Sequence, residues 1–353
     1  MFRLFVGSRS CREVAVLYLA VCVVSAFYNV ALADEQAPAT IGGIERLDPA
    51  LDKLVPREAK MQVIGEGYAW CESPVWVRDG SFLLFSDIPN NAIMRWDSKS
   101  GSKLFLKPAG YTGADPRGGE SGSNGLVLDR KGRLILCQHG DRRVARLDSS
   151  LKDPQPKYVT LADRYEGKRL NSPNDAVVDS HNAIYFTDPP YGLVKGMDDP
   201  KKELPFQGVY RIGSDGKLTL LTKEMERPNG IALSPDEKTL YLANSHAERQ
   251  VIVAYQLKKN GTLGRSRVLF NAAELPKSRE GACDGMTVDI EGNLWATVPG
   301  GVAVFTPDGK QLGLLATGDR TANCEFGEDG STLFIAANHR VLKIHTTAKG
   351  LGF

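Results

Sequence analysis

A phrase recurs along this chain, and a recurrence at such spacing restricts the fold more than any single motif does. Each copy reads as a polar residue, a short apolar strand, a turn rich in Asp or Ser, and a second apolar strand. Asn124-Gly125-Leu126-Val127-Leu128-Asp129 leads into Gly132-Arg133-Leu134-Ile135-Leu136. Asn174-Asp175-Ala176-Val177-Val178-Asp179 leads into Asn182-Ala183-Ile184-Tyr185-Phe186, and Asn229-Gly230-Ile231-Ala232-Leu233-Ser234 into Lys238-Thr239-Leu240-Tyr241-Leu242. Cys283-Asp284-Gly285-Met286-Thr287-Val288-Asp289 leads into Asn293-Leu294-Trp295, and Asn323-Cys324-Glu325-Phe326 into Ser331-Thr332-Leu333-Phe334-Ile335. Glu72-Ser73-Pro74-Val75-Trp76 opens the same pattern ahead of Gly80-Ser81-Phe82-Leu83-Leu84-Phe85. Further short strands follow each pair, such as Ala92–Asp97 and Lys103–Leu106 after the first. Four strands in about fifty residues make one propeller blade.

The expected fold is therefore all-β: a six-bladed β-propeller with four-stranded blades around a central channel. Apolar residues alternate or run in short blocks, and Gly and Pro recur too often for helices of ordinary length. The last blade reads one strand short, so Met61-Gln62-Val63-Ile64 is expected to complete it and close the ring, leaving no long free edge. The insertion from Asp188-Pro189-Pro190-Tyr191-Gly192 to Pro205 exceeds what a hairpin needs and is expected at a rim. Within it, Tyr191 reads equally as part of a lid or as a packed anchor. Trp76, Trp96 and Trp295 read as blade packing.

The N-terminus stands apart. Arg3, Arg9 and Arg12 precede an apolar run from Val14 to about Val30, and Ala31-Leu32-Ala33 has the form of a signal-peptidase site. The organisation read is a signal peptide at 1–33, an extended leader at 34–60 and the propeller at 61–353. The expected product is exported, periplasmic or secreted, without stable membrane association; an uncleaved anchor is the alternative. A formal net charge of +2 over 353 residues gives no electrostatic case for nucleic acid. Cys71, Cys137, Cys283 and Cys324 remain after cleavage and read as buried thiols ahead of disulfides, because a domain this large needs no staples.

In a propeller the innermost strand of each blade lines the axis. The repeat thus brings Glu72, Asn124, Asn174, Asn229, Asp284 and Asn323 to equivalent points at the channel mouth. All offer oxygen and none offers nitrogen ligation or thiolate, which suits a hard cation such as calcium. Asn-Gly and Asp-Gly are also turn dipeptides that tolerate positive φ. Glu72 has no Gly after it, yet holds the same place.

Glu72-Ser73-Pro74-Val75-Trp76, Pro173-Asn174-Asp175, Pro228-Asn229-Gly230 and Cys283-Asp284-Gly285-Met286 together resemble the motifs of the senescence marker protein, gluconolactonase and luciferin-regenerating enzyme family. The likeness spans about Glu66 to Ile344, and His139-Gly140-Asp141-Arg142-Arg143-Val144 is closer to its bacterial gluconolactonase-like branch. The resemblance implies one divalent cation in the channel, usually calcium, with magnesium, manganese, zinc or iron(II) as alternatives. By motif, Glu72, Asn229 and Asp284 match its core metal ligands. Asn174 matches a position that is a ligand in some members and a substrate contact in others.

The expected chemistry is attack of water on a sugar lactone carbonyl held at the cation. Asp284 is the first choice of general base and Glu72 the second. Asn124, His139, Asn174 and Asn323 are candidate substrate contacts; for His139 a bond to a rim loop is an equal alternative. Arg142 reads as a substrate contact or a surface charge. A phosphotriesterase or arylesterase on the same metal, and a non-catalytic propeller with a structural metal, are the competing functions. Neither a G-x-S-x-G elbow nor a phosphate-cradling Gly loop before a helix is present in the sequence.

Overall fold

A computed structural model describes residues 38–353; the signal-peptide reading at 1–33 lies outside the described residues. The repeat folds as read, into six antiparallel blades in a ring. Blade one comprises Cys71–Val77, Phe82–Asp87, Ala92–Asp97 and Gly101–Leu106, from the axis outward. Blade two comprises Ser123–Leu128, Leu134–Gln138, Arg143–Leu147 and Tyr158–Ala162. Blade three comprises Ala176–Val178, Ile184–Asp188, Gly208–Ile212 and Leu218–Thr222. Blade four comprises Pro228–Leu233, Thr239–His246, Arg249–Leu257 and Leu263–Asn271.

Blade five runs through Met286–Val288, Leu294–Val298, Gly301–Phe305 and Gln311–Ala316. Blade six takes Thr321–Gly327, Thr332–Ala337 and Arg340–His345 from the C-terminal end, and Met61–Glu66 from the other end of the chain. That closing strand pairs Val341 with Gly65 and Lys343 with Gln62, which joins the two ends of the ring.

Blades five and six each carry a fifth strand. Gly43–Arg46 pairs with Gln311–Ala316, and Thr40–Ile41 pairs with the closing strand. The segment before Met61 is thus seated against two blades. Its apolar residues explain why: Leu51 and Val55 are fully buried, and Ile41 and Ile44 pack on the same cluster. Burial of such side chains stabilises by about 1.5–3 kcal/mol each.

In blades two, three and five the turn between the first two strands is built by its own Asp. Asp129 Oδ1 accepts from the backbone N–H of Lys131 and Arg133, Asp179 Oδ1 from His181 and Ala183, and Asp289 Oδ1 from Glu291 and Asn293. Hydroxyls on second strands then latch four of the blades to the next. Ser86 Oγ donates to Asn124 O, Thr187 Oγ1 to Asn229 O, Ser245 Oγ to Cys283 O and Thr297 Oγ1 to Ala322 O. Aromatic contacts fill the seams: Trp76 stacks on Phe334, Trp96 meets Phe334 edge-on, and Trp295 meets Phe326 edge-on. All four cysteines among the described residues are buried free thiols.

The glycines after the leading residues are not turn glycines. Gly125 and Gly230 lie in inner strands and Gly285 immediately before one, and none has positive φ. They are small because the adjacent blade touches them. A Cβ on Gly230 would stand 2.0 Å from Asp284 O, and one on Gly125 2.5 Å from Asn174 O. Gly230→Ala is expected to cost about 1–3 kcal/mol or more through forced backbone shifts. Gly43→Ala, with nothing within 4 Å of the added methyl, serves as the control, with a change within about 0.5 kcal/mol. Denaturant unfolding of the two variants measures the difference.

Candidate metal centre

Each leading residue sits where its inner strand breaks step. Pairing register shifts between Glu72 and Val75, between Ser123 and Leu126, between Pro228 and Ile231, and between Thr321 and Asn323. In blades three and five the regular strand starts at Ala176 and Met286, two residues after Asn174 and Asp284. A bulge re-aims a side chain that a regular pleat would send sideways. In blade one it also places Ser73 in the left-handed region, at φ 46°, a strain typical of functional sites.

The side chains so aimed form a linked group. Glu72 Oε2 accepts from Ser73 N at 3.0 Å. Asn323 Oδ1 accepts from Cys324 N at 2.9 Å, which turns its amide nitrogen toward the Glu72 and Asp175 carboxylates. Asn229 Nδ2 donates to Ser245 Oγ at 2.8 Å, and Ser245 Oγ in turn donates to Cys283 O at 2.9 Å. This fixes the orientation of the Asn229 amide, and its Oδ1 is buried without a protein partner. Asn124 and Asn174 are buried at the corresponding points of blades two and three. Gly285 is glycine because Asn323 crosses it: an added Cβ would lie 2.0 Å from the Asn323 amide carbon.

The electrostatics are lopsided. Glu72 is pushed up to about 8, first by burial and then by the charge of Asp175. Burial pushes Asp175 up to about 7. Asp284 is raised well above the ordinary carboxylate range by burial, then by Glu72, Asp175 and Glu120. Glu325 reaches about 7, again through burial, with Thr287 Oγ1 donating to its Oε1 at 2.9 Å. No basic side chain is among the groups that shift any of the four. Asp188 differs: it too reaches about 7 through burial, but it accepts from Asn171 N and Ser172 N and feels the charges of Arg142 and Lys202.

Buried carboxylates without a counter-ion, beside a free amide oxygen, fit a hard divalent cation. Among the described residues no three His, Cys, Asp or Glu side chains form a ready cluster, so such an ion needs the amides to complete its shell. Glu72, Asn174, Asn229 and Asp284 are the residues that would hold it.

His139 is fully buried, with Nδ1 3.1 Å from Glu120 Oε2. Arg142 is neither at the surface nor aimed at the axis; it is buried and donates to the carbonyls of Leu170, Asn171 and Lys201. A channel of about 1050 Å³ runs from Asp175, Asn323 and Glu325 toward the opposite face near Arg78 and Phe353.

The sequence reading missed Asp175, Glu325, Ser245 and Glu120. Two of these left a signal. Asp175 stands where Asn124, Asn229 and Asp284 are followed by Gly, and Glu325 stands where the other copies have Leu126, Ala176, Ile231 and Met286. Ser245 and Glu120 come from other parts of the fold, and the repeat does not point to them.

The family model for the SMP-30/Gluconolactonase/LRE-like region matches residues 70–339. The chain belongs to this family. It is 41% identical over 318 residues to a gluconolactonase of Zymomonas mobilis, covering 88% of each chain. A gluconolactonase of Xanthomonas campestris superposes with a TM-score of 0.75 at 30% identity, covering 88% of this chain and 96% of that one. A calcium-binding protein, regucalcin, from Agrobacterium tumefaciens shares the fold at a TM-score of 0.63 and 19% identity, covering 82% and 94%.

The raised carboxylates make a signed prediction. A group whose folded pKa exceeds its unfolded value stabilises fully below the unfolded pKa, and that stability is lost as pH rises through the folded pKa. For Glu72, Asp175 and Glu325 the loss spans from about pH 4 to about pH 8. The thermal midpoint of metal-free protein is therefore expected to fall between pH 5 and pH 8.5. Added divalent cation is expected to raise it more at pH 8.5 than at pH 5, since it binds the deprotonated form. Calorimetry with and without chelator measures both; a midpoint of the metal-free protein that climbs with pH would contradict the assignment.

Proposed function

We propose that the chain hydrolyses a sugar lactone such as gluconolactone to the aldonic acid, with one divalent cation, calcium first, at the axial site. It is a lactonase. The observation that carries the reading is the meeting of uncompensated Glu72 and Asp284 with the free Oδ1 of Asn229, in a chain 41% identical to a gluconolactonase. The calcium-binding neighbour supports the choice of ion.

A divalent cation held there polarises the lactone carbonyl and makes nearby water more acidic. Asp284 takes a proton from the attacking water, and Glu72 is the second candidate for that role. Water oxygen bonds to the carbonyl carbon while the bond to the ring oxygen breaks. The ring oxygen leaves as a hydroxyl, carrying the proton returned by Asp284. The new carboxylic acid then loses its own proton to solvent. Asn124 and Asn174 supply amide contacts for substrate oxygens, whereas the Asn323 amide is engaged by Cys324 N and turned to the Glu72 and Asp175 carboxylates. His139 lies buried against Glu120. Ser245 holds the Asn229 amide by its nitrogen, which leaves the oxygen as the atom that would serve a bound cation. Export after loss of residues 1–33 belongs to the same reading and rests on Ala31-Leu32-Ala33.

The test is a pH-stat assay on gluconolactone, galactonolactone and xylonolactone, using metal-stripped protein refilled with one cation at a time. Hydrolysis is expected to vanish on chelation and to return with calcium. Asp284→Asn is expected to keep its fold by circular dichroism and to lose at least about 100-fold in kcat. Full activity in the chelated protein, or in that variant, would sink the mechanism.

A further inference from the structure

Glu120 lies on the connection from blade one to blade two, between residues 106 and 123. That connection is tied down along its length. Asn91 Oδ1 accepts from the N–H groups of Ala109, Gly110 and Tyr111. Thr112 N donates to Asp141 Oδ1, Arg117 donates to Gly192 O, and Gly122 N donates to Ile88 O. Glu120 is thus presented from a fixed frame.

A buried histidine lies against it. His139 is fully buried, with Gly192 pressed so close that a Cβ there would come within 2.5 Å of the His139 Cβ. Its Nδ1 is 3.1 Å from Glu120 Oε2 but out of line for a hydrogen bond, and its Nε2 has no partner. The Glu120 side chain is 39% exposed. Ser123, three residues on, pairs with Gln138 beside His139 at the Asn124 end of blade two. Glu120 thus stands at the end of the blade where the leading residues lie, and its charge is felt at Glu72, Asp284 and Tyr191. A partly open carboxylate and an unsatisfied buried imidazole make an incomplete polar pair. Polar groups in such a position discriminate for ligands that complete them.

We propose that Glu120, packed against His139, is the specificity residue that reads the ring hydroxyls of the substrate. A carboxylate accepts from hydroxyls but offers nothing to another anion. It therefore favours a neutral polyhydroxy lactone over an unsubstituted lactone, and disfavours retention of the anionic product. The proposal rests on the lactonase reading above and names what part of the substrate the site recognises.

The experiment compares calcium-loaded wild type, Glu120→Gln and Glu120→Ala on glucono-1,5-lactone and on δ-valerolactone, which has no hydroxyls. The ratio of kcat/KM for the two lactones is expected to fall about 10–100-fold in Glu120→Ala, mainly through KM for the sugar lactone. Gluconate is expected to inhibit Glu120→Gln more tightly than wild type. An unchanged ratio, an equal loss on both lactones, or unchanged gluconate inhibition overturns the proposal while leaving the lactonase reading intact. Wild type that hydrolyses neither lactone overturns both.

Discussion

The closeness of the inner strands at the axis governs this structure. Gly125, Gly230 and Gly285 leave no room for a methyl group, because a neighbouring blade's backbone or the Asn323 side chain lies against them. Strands this close cannot all keep a regular pleat, and the step breaks at or beside each leading residue. Those breaks turn Glu72, Asn229 and Asn323 out of the sheet. The packing that makes the ring narrow is thus also what gathers the oxygens.

Gathering them has an electrostatic consequence. Glu72, Asp175 and Asp284 are removed from water; the charge of Asp175 raises Glu72, and both raise Asp284, with no lysine or arginine to offset them. Elsewhere the protein handles buried charge differently. Asp129, also little exposed, is matched by Arg133 at 2.6 Å and by turn N–H groups, and it sits below the ordinary carboxylate range. The contrast separates a carboxylate that builds a turn from one fit to hold a cation.

Most of the architecture was legible because a propeller repeats, and each copy supports the others. The closing role of Met61–Glu66 followed from an apparent deficit of one strand in the last blade. The docking of 40–46 was not legible: two and four residues of strand carry too little pattern, and only the buried Leu51 and Val55 show what holds that segment down. At the site, leading residues could be read because they share a position. The glycines after them could not be interpreted, since a turn and a close approach both call for glycine. Ser245 and Glu120 act through tertiary contacts, one orienting an amide and the other standing over the mouth, and no local pattern encodes either.

Blade six is made from both ends of the polypeptide, and Glu72 follows its closing strand within the same short stretch of chain. Asp284 and Asn323 are made late by comparison. A ribosome therefore releases the chain before the first and last pieces of the ring can meet. No partial product has the closed ring that sets Glu72, beside the first inner strand, against the late-made residues of blades five and six. On the proposed function, a bound cation would report that the ring had sealed.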